Sequence, residues 1–225
     1  MMKPIEKLAI GLLYFNKGLP QFERALYGAL EELRLSKLVN TVTFIERHGM
    51  AVDVARNQIV GKTLELEHDA VVWIDTDLIF PGDALVRLVD MANAGHMVSA
   101  GLYRRALRDN PHILTERIPG HGWAALEELH EHEDGGVTQV WMTAGGFSIV
   151  RSEVYQAMRD KIGMPWYCNW DFERGDQSYE DLYFFRRLPR LGVVPVVDPD
   201  LHAVHWSHHG PIPVTDDAPE MRYCV

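Results

Sequence analysis

Ala70-Val71-Val72-Trp73-Ile74-Asp75-Thr76-Asp77 is the stretch on which the fold turns. Ala70 to Ile74 is a continuous apolar run, too short for a buried helix and of the kind found in a central parallel strand covered on both faces. The run stops at Asp75. Two carboxylates, two residues apart, therefore stand in a turn beyond the carboxyl end of a buried strand, where open α/β sheets bind their ligands.

Working outward, Lys7 to Tyr14 reads as a buried first strand. Pro20 then opens a helix whose Phe22, Ala25, Leu26, Ala29, Leu30 and Leu33 recur at helical spacing. Val39 to Ile45 is a β-branched second strand, and Val52 to Leu66 a second amphipathic helix. Beyond the acidic turn, Pro81 starts a third helix carrying Leu85, Leu88, Val89 and Ala92, closed by Gly95, and Met97 to Tyr103 supplies the next strand. From Arg104 to Gly136 the periodicity fails around Asp109-Asn110-Pro111, Pro119-Gly120 and the acidic run Glu127 to Asp134, an excursion with one short helix. Order returns with Val137 to Met142, a strand from Gly145 to Val150, a helix with Ser152 as N-cap, and a loop holding Trp166, Tyr167, Trp170 and Phe172. Ser178 is expected to cap a further helix with Glu180 and Asp181 in its first turn and Pro189 near its end, and Val193 to Val197 is a late strand. Alternating strands and helices predict a single α/β domain, Rossmann-like, with a mainly parallel central sheet flanked by helices.

Composition narrows the partners. The 225 residues hold 22 Lys+Arg against 32 Asp+Glu, a formal charge of −10, with no basic block. That balance argues against a field that gathers nucleic acid or anionic lipid. Two cysteines, Cys168 and Cys224, are too few for a disulfide framework and lack CxxC spacing, so a reducing, cytoplasmic setting is expected. Met1 to Leu13, interrupted by Lys3, Pro4, Glu6 and Lys7, reads as neither signal peptide nor membrane span.

Asp75 and Asp77 make a hard-oxygen site of the kind Mn²⁺ or Mg²⁺ prefers, a cation that keeps part of its shell for substrate phosphate. The plain alternative is an exposed turn, because Asp-x-Asp is common by chance. Gly145-Gly146 permits close approach of a substrate to backbone, or makes an ordinary turn. Trp166, Tyr167, Trp170 and Phe172 suit a stacking platform for a sugar ring, or the core. Glu180 and Asp181 at a helix N-terminus are held ionised, which suits a general base but equally suits ordinary helix-end charge. His205 follows the last strand, where the tail can return to the crevice, among His202, His208 and His209, any of which can simply be solvated.

In order along the chain stand the first strand, Ala55-Arg56-Asn57, Val72 to Asp77 followed by Phe80-Pro81, and Gly101-Leu102-Tyr103-Arg104. Ala144-Gly145-Gly146-Phe147 before Arg151, Glu180-Asp181 and His205 complete the set. Over roughly Lys7 to Trp206 this order resembles the family-2-like glycosyltransferases of the GT-A fold, including short bacterial and viral members. The resemblance implies a metal-dependent enzyme that moves a sugar from a nucleotide diphosphate sugar, a UDP-sugar by family precedent, to an acceptor hydroxyl with inversion. It implies Asp75, Asp77 and His205 as ligands of Mn²⁺ or Mg²⁺, Asp181 as the base and Glu180 as its acceptor-orienting neighbour. It places Tyr14, Asn16, Glu46, Arg56, Asn57, Asp75, Thr76, Gly145 and Gly146 at the donor. On that resemblance Arg56 is expected to pair with phosphate, where a surface ion pair is the plain alternative, and Glu46 to accept from the base. The same frame divides the domain into a nucleotide-binding half over about 1–100, an acceptor-binding half over about 101–210 and a tail over 211–225. The acceptor stays open among a glycan, a lipid-linked sugar, a protein and a modified nucleic-acid base. Two rivals differ in checkable ways. A sugar-phosphate nucleotidyltransferase needs a glycine- and basic-rich loop after the first strand, for which Tyr14 to Gly18 is poor. A catalytically silent sugar-binding module needs no metal turn together with Glu180-Asp181.

Overall fold

Alternation along the first strand sets up the layers. In β1 (Lys7–Tyr14), Leu8, Ile10 and Leu12 join one core cluster while Ala9 and Leu13 join another on the opposite face. The computed structural model describes residues 2–14, 19–104, 115–120, 124–130, 136–171, 175–207 and 210–212. The elements that follow β1 are α1 (Pro20–Ser36), β2 (Thr41–His48), α2 (Val52–Glu65), β3 (Ala70–Asp75), β4 (Leu78–Ile79), α3 (Ala84–Asn93) and β5 (Val98–Leu102). Next come β6 (Thr115–Glu116), α4 (Leu126–Leu129), β7 (Thr138–Gln139), β8 (Met142–Thr143), β9 (Phe147–Arg151) and α5 (Ser152–Lys161). The chain then forms β10 (Trp170–Asp171), β11 (Asp176–Gln177), α6 (Glu180–Arg187), a 3-10 turn (Leu188–Leu191), β12 (Val196–His202), β13 (Val204–Ser207) and β14 (Gly210–Ile212).

Seven strands form the central sheet in the order β2-β1-β3-β9-β5-β12-β7. β2, β1 and β3 run parallel, as do β5 and β12, but β9 lies antiparallel between β3 and β5, and β7 is antiparallel to β12. Five of the seven strands thus share one direction in a mixed sheet, the single α/β domain that the strand–helix alternation predicts. α1 and α3 cover one face through Phe22, Leu26, Leu85 and Leu88, while α2, α5 and α6 cover the other through Ile59, Val60, Tyr155 and Phe184.

Several expected boundaries move. β2 lies at Thr41–His48 rather than Val39–Ile45, and the last strand of the large sheet runs on to His202 rather than ending at Val197. Pro81 belongs to a turn closed by Ala84 N–H on its carbonyl, so α3 starts three residues later. Neither serine caps its helix. Ser152 is the first residue of α5 and its hydroxyl donates to His68 O at 2.6 Å, while Ser178 precedes the cap residue Tyr179 of α6.

Trp73 shows how the core positions the site. It is fully buried in β3, and its ring occupies the place a side chain at Gly11 would take, an added Cβ lying 2.7 Å from Cζ3. Its indole N–H donates to Tyr155 Oη at 2.9 Å, and that hydroxyl lies 2.7 Å from Tyr167 Oη. Truncation of such a ring costs roughly 3–5 kcal/mol. Trp166 and Tyr167, 5% and 2% exposed, belong to this core and cannot serve as a sugar platform; Trp170 is exposed, and Phe172 lies outside the described residues.

Candidate active site

The carboxyl ends of β1, β3, β5 and β12 meet the start of β9 along one edge of the sheet, because β9 runs the opposite way. Asp75 closes β3, and its N–H donates to Gly146 O at 2.8 Å. At this place the two segments approach so closely that a Cβ on Gly146 would lie 1.8 Å from Asp75 Oδ2. Only glycine fits. Next door, a Cβ on Gly145 would lie 3.2 Å from Asp181 Cβ and 3.4 Å from Arg56 Nη2. The Gly145-Gly146 strip therefore runs between Asp75 on one side and Asp181 on the other.

Arg56 of α2 is 2% exposed and packs over the rings of Trp73 and Tyr167, at 4.9 and 5.6 Å from their centroids. Its guanidinium faces Asp75 Oδ1 at 3.5 Å, Glu180 Oε1 at 3.3 Å and Gly145 O at 3.5 Å. Burial works against its charge, and Asp75 and Glu180 more than offset that, so its proton is held more tightly than usual. The expected phosphate partner is thus an internal counter-ion held by carboxylates. Burial pushes the Asp75 carboxyl up, with Arg56 opposing and Asp77 adding to the rise. Burial likewise pushes Glu180 up to about 6, with Arg56 opposing and Asp181 reinforcing. Asp181, beside it in the first turn of α6, accepts Leu182 N–H at 2.7 Å and Gly145 N–H at 3.4 Å.

β13 returns to pair with β4, setting His205 opposite Leu78, and Trp206 N–H donates to Asp77 O at 2.7 Å. His205 Nδ1 lies 2.9 Å from Arg104 O and must be the donor there. Nε2 then faces Asp77 Oδ2 at 3.1 Å and donates to that carboxylate when the imidazole is protonated. Burial lowers the affinity of His205 for that proton, but the hydrogen bond and charge of Asp77 outweigh it and leave the imidazole raised. Among the described residues, no group of three or more His, Cys, Asp and Glu side chains converges on a metal-holding position. The expected trio is therefore drawn as a pair, Asp77 with His205, and an Asp75 turned toward Arg56. Tyr103 lies between them. Its hydroxyl accepts Gly146 N–H at 3.2 Å and donates to Asp75 Oδ2 at 3.5 Å, and its ring stands edge-on to His205 at 5.5 Å.

The remaining donor-side residues divide. Thr76 ties the turn to β1 by donating to Leu13 O at 3.2 Å. Tyr14 stacks on His48 with centroids 4.8 Å apart and planes at 7°, and His48 Nε2 lies 3.6 Å from Glu46. Tyr14 and Glu46 thus share the end of β1 and β2, and burial, then Glu46, raises the Tyr14 hydroxyl. Asn57 departs from expectation. Its amide donates to Asp53 O and Tyr167 O and accepts from Trp166 N–H and Tyr167 N–H, using all four hydrogen-bonding positions on its neighbours. It fastens a loop and has none left for a nucleotide. Asn16, His208 and His209 lie outside the described residues. Tyr103 and His48 carry no role in the sequence reading. The only signals for them are the Gly101 to Arg104 motif and the two-residue spacing of Glu46 and His48 on one strand face.

The crystal structure of A197 from STIV matches the chain with a TM-score of 0.57 at 16% identity, covering 93% of this chain and 91% of that one. At that identity the likeness shows a shared fold alone, the single α/β domain with a mixed central sheet flanked by helices. It is one of 157 solved chains that match, and a fold so widely used does not fix a chemistry. No protein-family model matches the chain, and no curated protein does.

Proposed function

We propose that this protein is a metal-dependent glycosyltransferase acting on a nucleotide diphosphate sugar. The observation that carries the reading is the glycine strip, with Asp75 and the Asp77–His205 pair on one side and Asp181 with Glu180 on the other. Asp77 and His205, with Asp75 beside them, suit Mn²⁺ or Mg²⁺, since Nδ1–H of His205 is fixed on a carbonyl and Nε2 is turned to the Asp77 carboxylate. When bound, such a cation offsets charge on the departing diphosphate. A protonated imidazole must lose its Nε2 proton before His205 can act as a ligand.

Asp181 takes the acceptor's hydroxyl proton as the acceptor oxygen bonds to the anomeric carbon and the bond to the diphosphate breaks, a single displacement that inverts configuration. Glu180, Gly145 O and Asp75 hold Arg56, so that the positive charge stays beneath the strip and does not travel with the substrate. Glu46, Tyr14 and His48 suit the nucleoside end, with a UDP-sugar as the expected donor. The excess of carboxylates over Arg56 and His205 favours donor binding only after a cation has entered.

The test is incubation with Mn²⁺ and a panel of nucleotide sugars, reading thermal stabilisation and hydrolysis. Asp77→Ala is expected to remove both while keeping the melting temperature of the free protein, because the side chain is 48% exposed. Unchanged donor turnover by Asp77→Ala with EDTA present would overturn the metal assignment.

A further inference from the structure

The ribbon that precedes α6 presents one face that the fold leaves open. β10 and β11 pair antiparallel with Trp170 opposite Gln177, and Ser178 N–H donates to Asn169 O at 3.0 Å, which carries the ladder one step toward α6. Residues directly opposite share a face, and so do residues two apart along an extended strand. Tyr179 is extended (φ −84°, ψ 145°). Trp170, Gln177 and Tyr179 therefore lie on one face. Exposure follows this pattern: Trp170 is 45% exposed, Tyr179 is 66% exposed and Gln177 is exposed, whereas Asp171 on the other face is buried and accepts Arg186 of α6 at 3.1 Å. One side anchors the ribbon on α6 and the other meets solvent.

We infer that the Trp170–Gln177–Tyr179 face is the docking surface for a neutral glycan, the acceptor of the transfer proposed above, and the inference rests on that reading. Aromatic rings offer π faces to the C–H faces of a sugar, and the amide between them offers a donor and an acceptor to its hydroxyls. Tyr179 is the N-cap of α6, the helix whose first turn carries Glu180 and Asp181, so the face adjoins that helix end in the chain. Charge selects among acceptors. From Asn169 to Asp181 the sequence holds Asp171, Glu173, Asp176, Glu180 and Asp181 against Arg174, and with Asp171 paired to Arg186 and Glu180 to Arg56 an acidic excess still remains. Such a segment repels the phosphates of nucleic acid or of lipid-linked diphosphates and leaves uncharged carbohydrate as the acceptor class.

The experiment applies the full chain to a printed array of neutral and anionic oligosaccharides, then titrates the best neutral binder calorimetrically. Trp170→Ala/Tyr179→Ala should weaken that binding at least about tenfold, as expected for two lost aromatic contacts. Mn²⁺-dependent donor hydrolysis without acceptor, and the melting temperature, should stay at wild-type values, and Trp170→Phe should restore most of the affinity. Absence of any neutral binder, preference for anionic glycans, or full binding by the double variant overturns the inference. So does a dimer in light scattering that Trp170→Ala dissolves, because the face then joins two copies of the chain. Glycan binding lost in the double variant, in a protein that never hydrolyses a donor, keeps the glycan surface and removes the transferase reading.

Discussion

Two arginines are equally buried at opposite edges of the same sheet. Arg151, 1% exposed, ends β9 and donates to Ala92 O at 3.1 Å and Lys3 O at 2.7 Å, with Glu153 at 3.3 Å. Arg56, 2% exposed, meets Asp75 and Glu180 at 3.5 and 3.3 Å and Gly145 O at 3.5 Å. The first donates to backbone carbonyls at short range, with one exposed carboxylate beside it. At the other edge, acidic charge exceeds basic charge and the contacts are long, an arrangement whose charge balance favours a further cation or a proton. Burial of a charge alone does not mark a site; the nature and balance of its partners does.

The largest expected effect lies at the second edge. Asp181→Asn keeps size and can keep the contact with Leu182 N–H, but it cannot take a proton at neutral pH. Transfer at saturating donor and acceptor should fall roughly 10²- to 10⁴-fold, with melting temperature and donor affinity unchanged. A folded Asp181→Asn protein with wild-type turnover would erase the functional distinction between the two edges and return Asp181 to a helix-end charge.

Next in size are paired substitutions of the arginines themselves. Arg56→Met strands Asp75 and Glu180 without their counter-ion, and breaking such a buried pair costs about 3 to 5 kcal/mol. The stranded carboxyls regain part of that by taking up protons, so the loss should be smaller at pH 5 than at pH 8. Arg151→Met strands carbonyls, which do not titrate in this range, at about 1 to 3 kcal/mol for each unmet group. Its loss should be nearly the same at both pH values. Denaturant unfolding at pH 5 and pH 8 decides the matter, and equal pH dependence in both variants would break the contrast.

The sequence made these edges unequally legible. β1 and β3 announce themselves as apolar runs and α1 through helical spacing, and β1, α1, α2 and β3 all begin where expected. β2 is displaced because Glu46, Arg47 and His48 look like loop residues, yet they lie on the outermost strand, where polar side chains are tolerated. The direction of β9 could not be read from Phe147 to Arg151, since pairing direction is set by how the chain returns and not by composition. β4 and β6 to β8, two residues each, are too short to show a period. At the site, the placement of Asp75 at a strand end was legible, whereas the occupation of Asn57 and Arg56 was not. Their partners lie 89 to 110 residues away in Gly145 and Tyr167, and an amide or guanidinium looks the same in sequence whether it faces a ligand or a loop. Tyr103 was missed for the same reason, because the two groups its hydroxyl joins meet only in the fold.

The smallest effect tests the balance of charge directly. Glu180 titrates at about 6 in the folded protein against an ordinary 4.5, so the folded state binds its proton more tightly than the unfolded chain does. The stabilisation this gives is complete below pH 4.5 and is lost as pH rises through about 6, amounting to about 2 kcal/mol for a shift of that size. Glu180→Gln resembles the protonated form at every pH and should lack that loss. Relative to wild type, the variant should therefore gain up to about 2 kcal/mol between pH 4.5 and pH 7, although removal of the attraction to Arg56 can offset a constant part at all pH values. Donor hydrolysis should persist, because Asp181 and the Asp77–His205 pair are untouched. Unfolding curves of the two proteins that stay parallel from pH 4.5 to 7 would mean that Glu180 is ionised throughout and that Arg56 neutralises it fully, which would make the two edges of the sheet electrostatically alike.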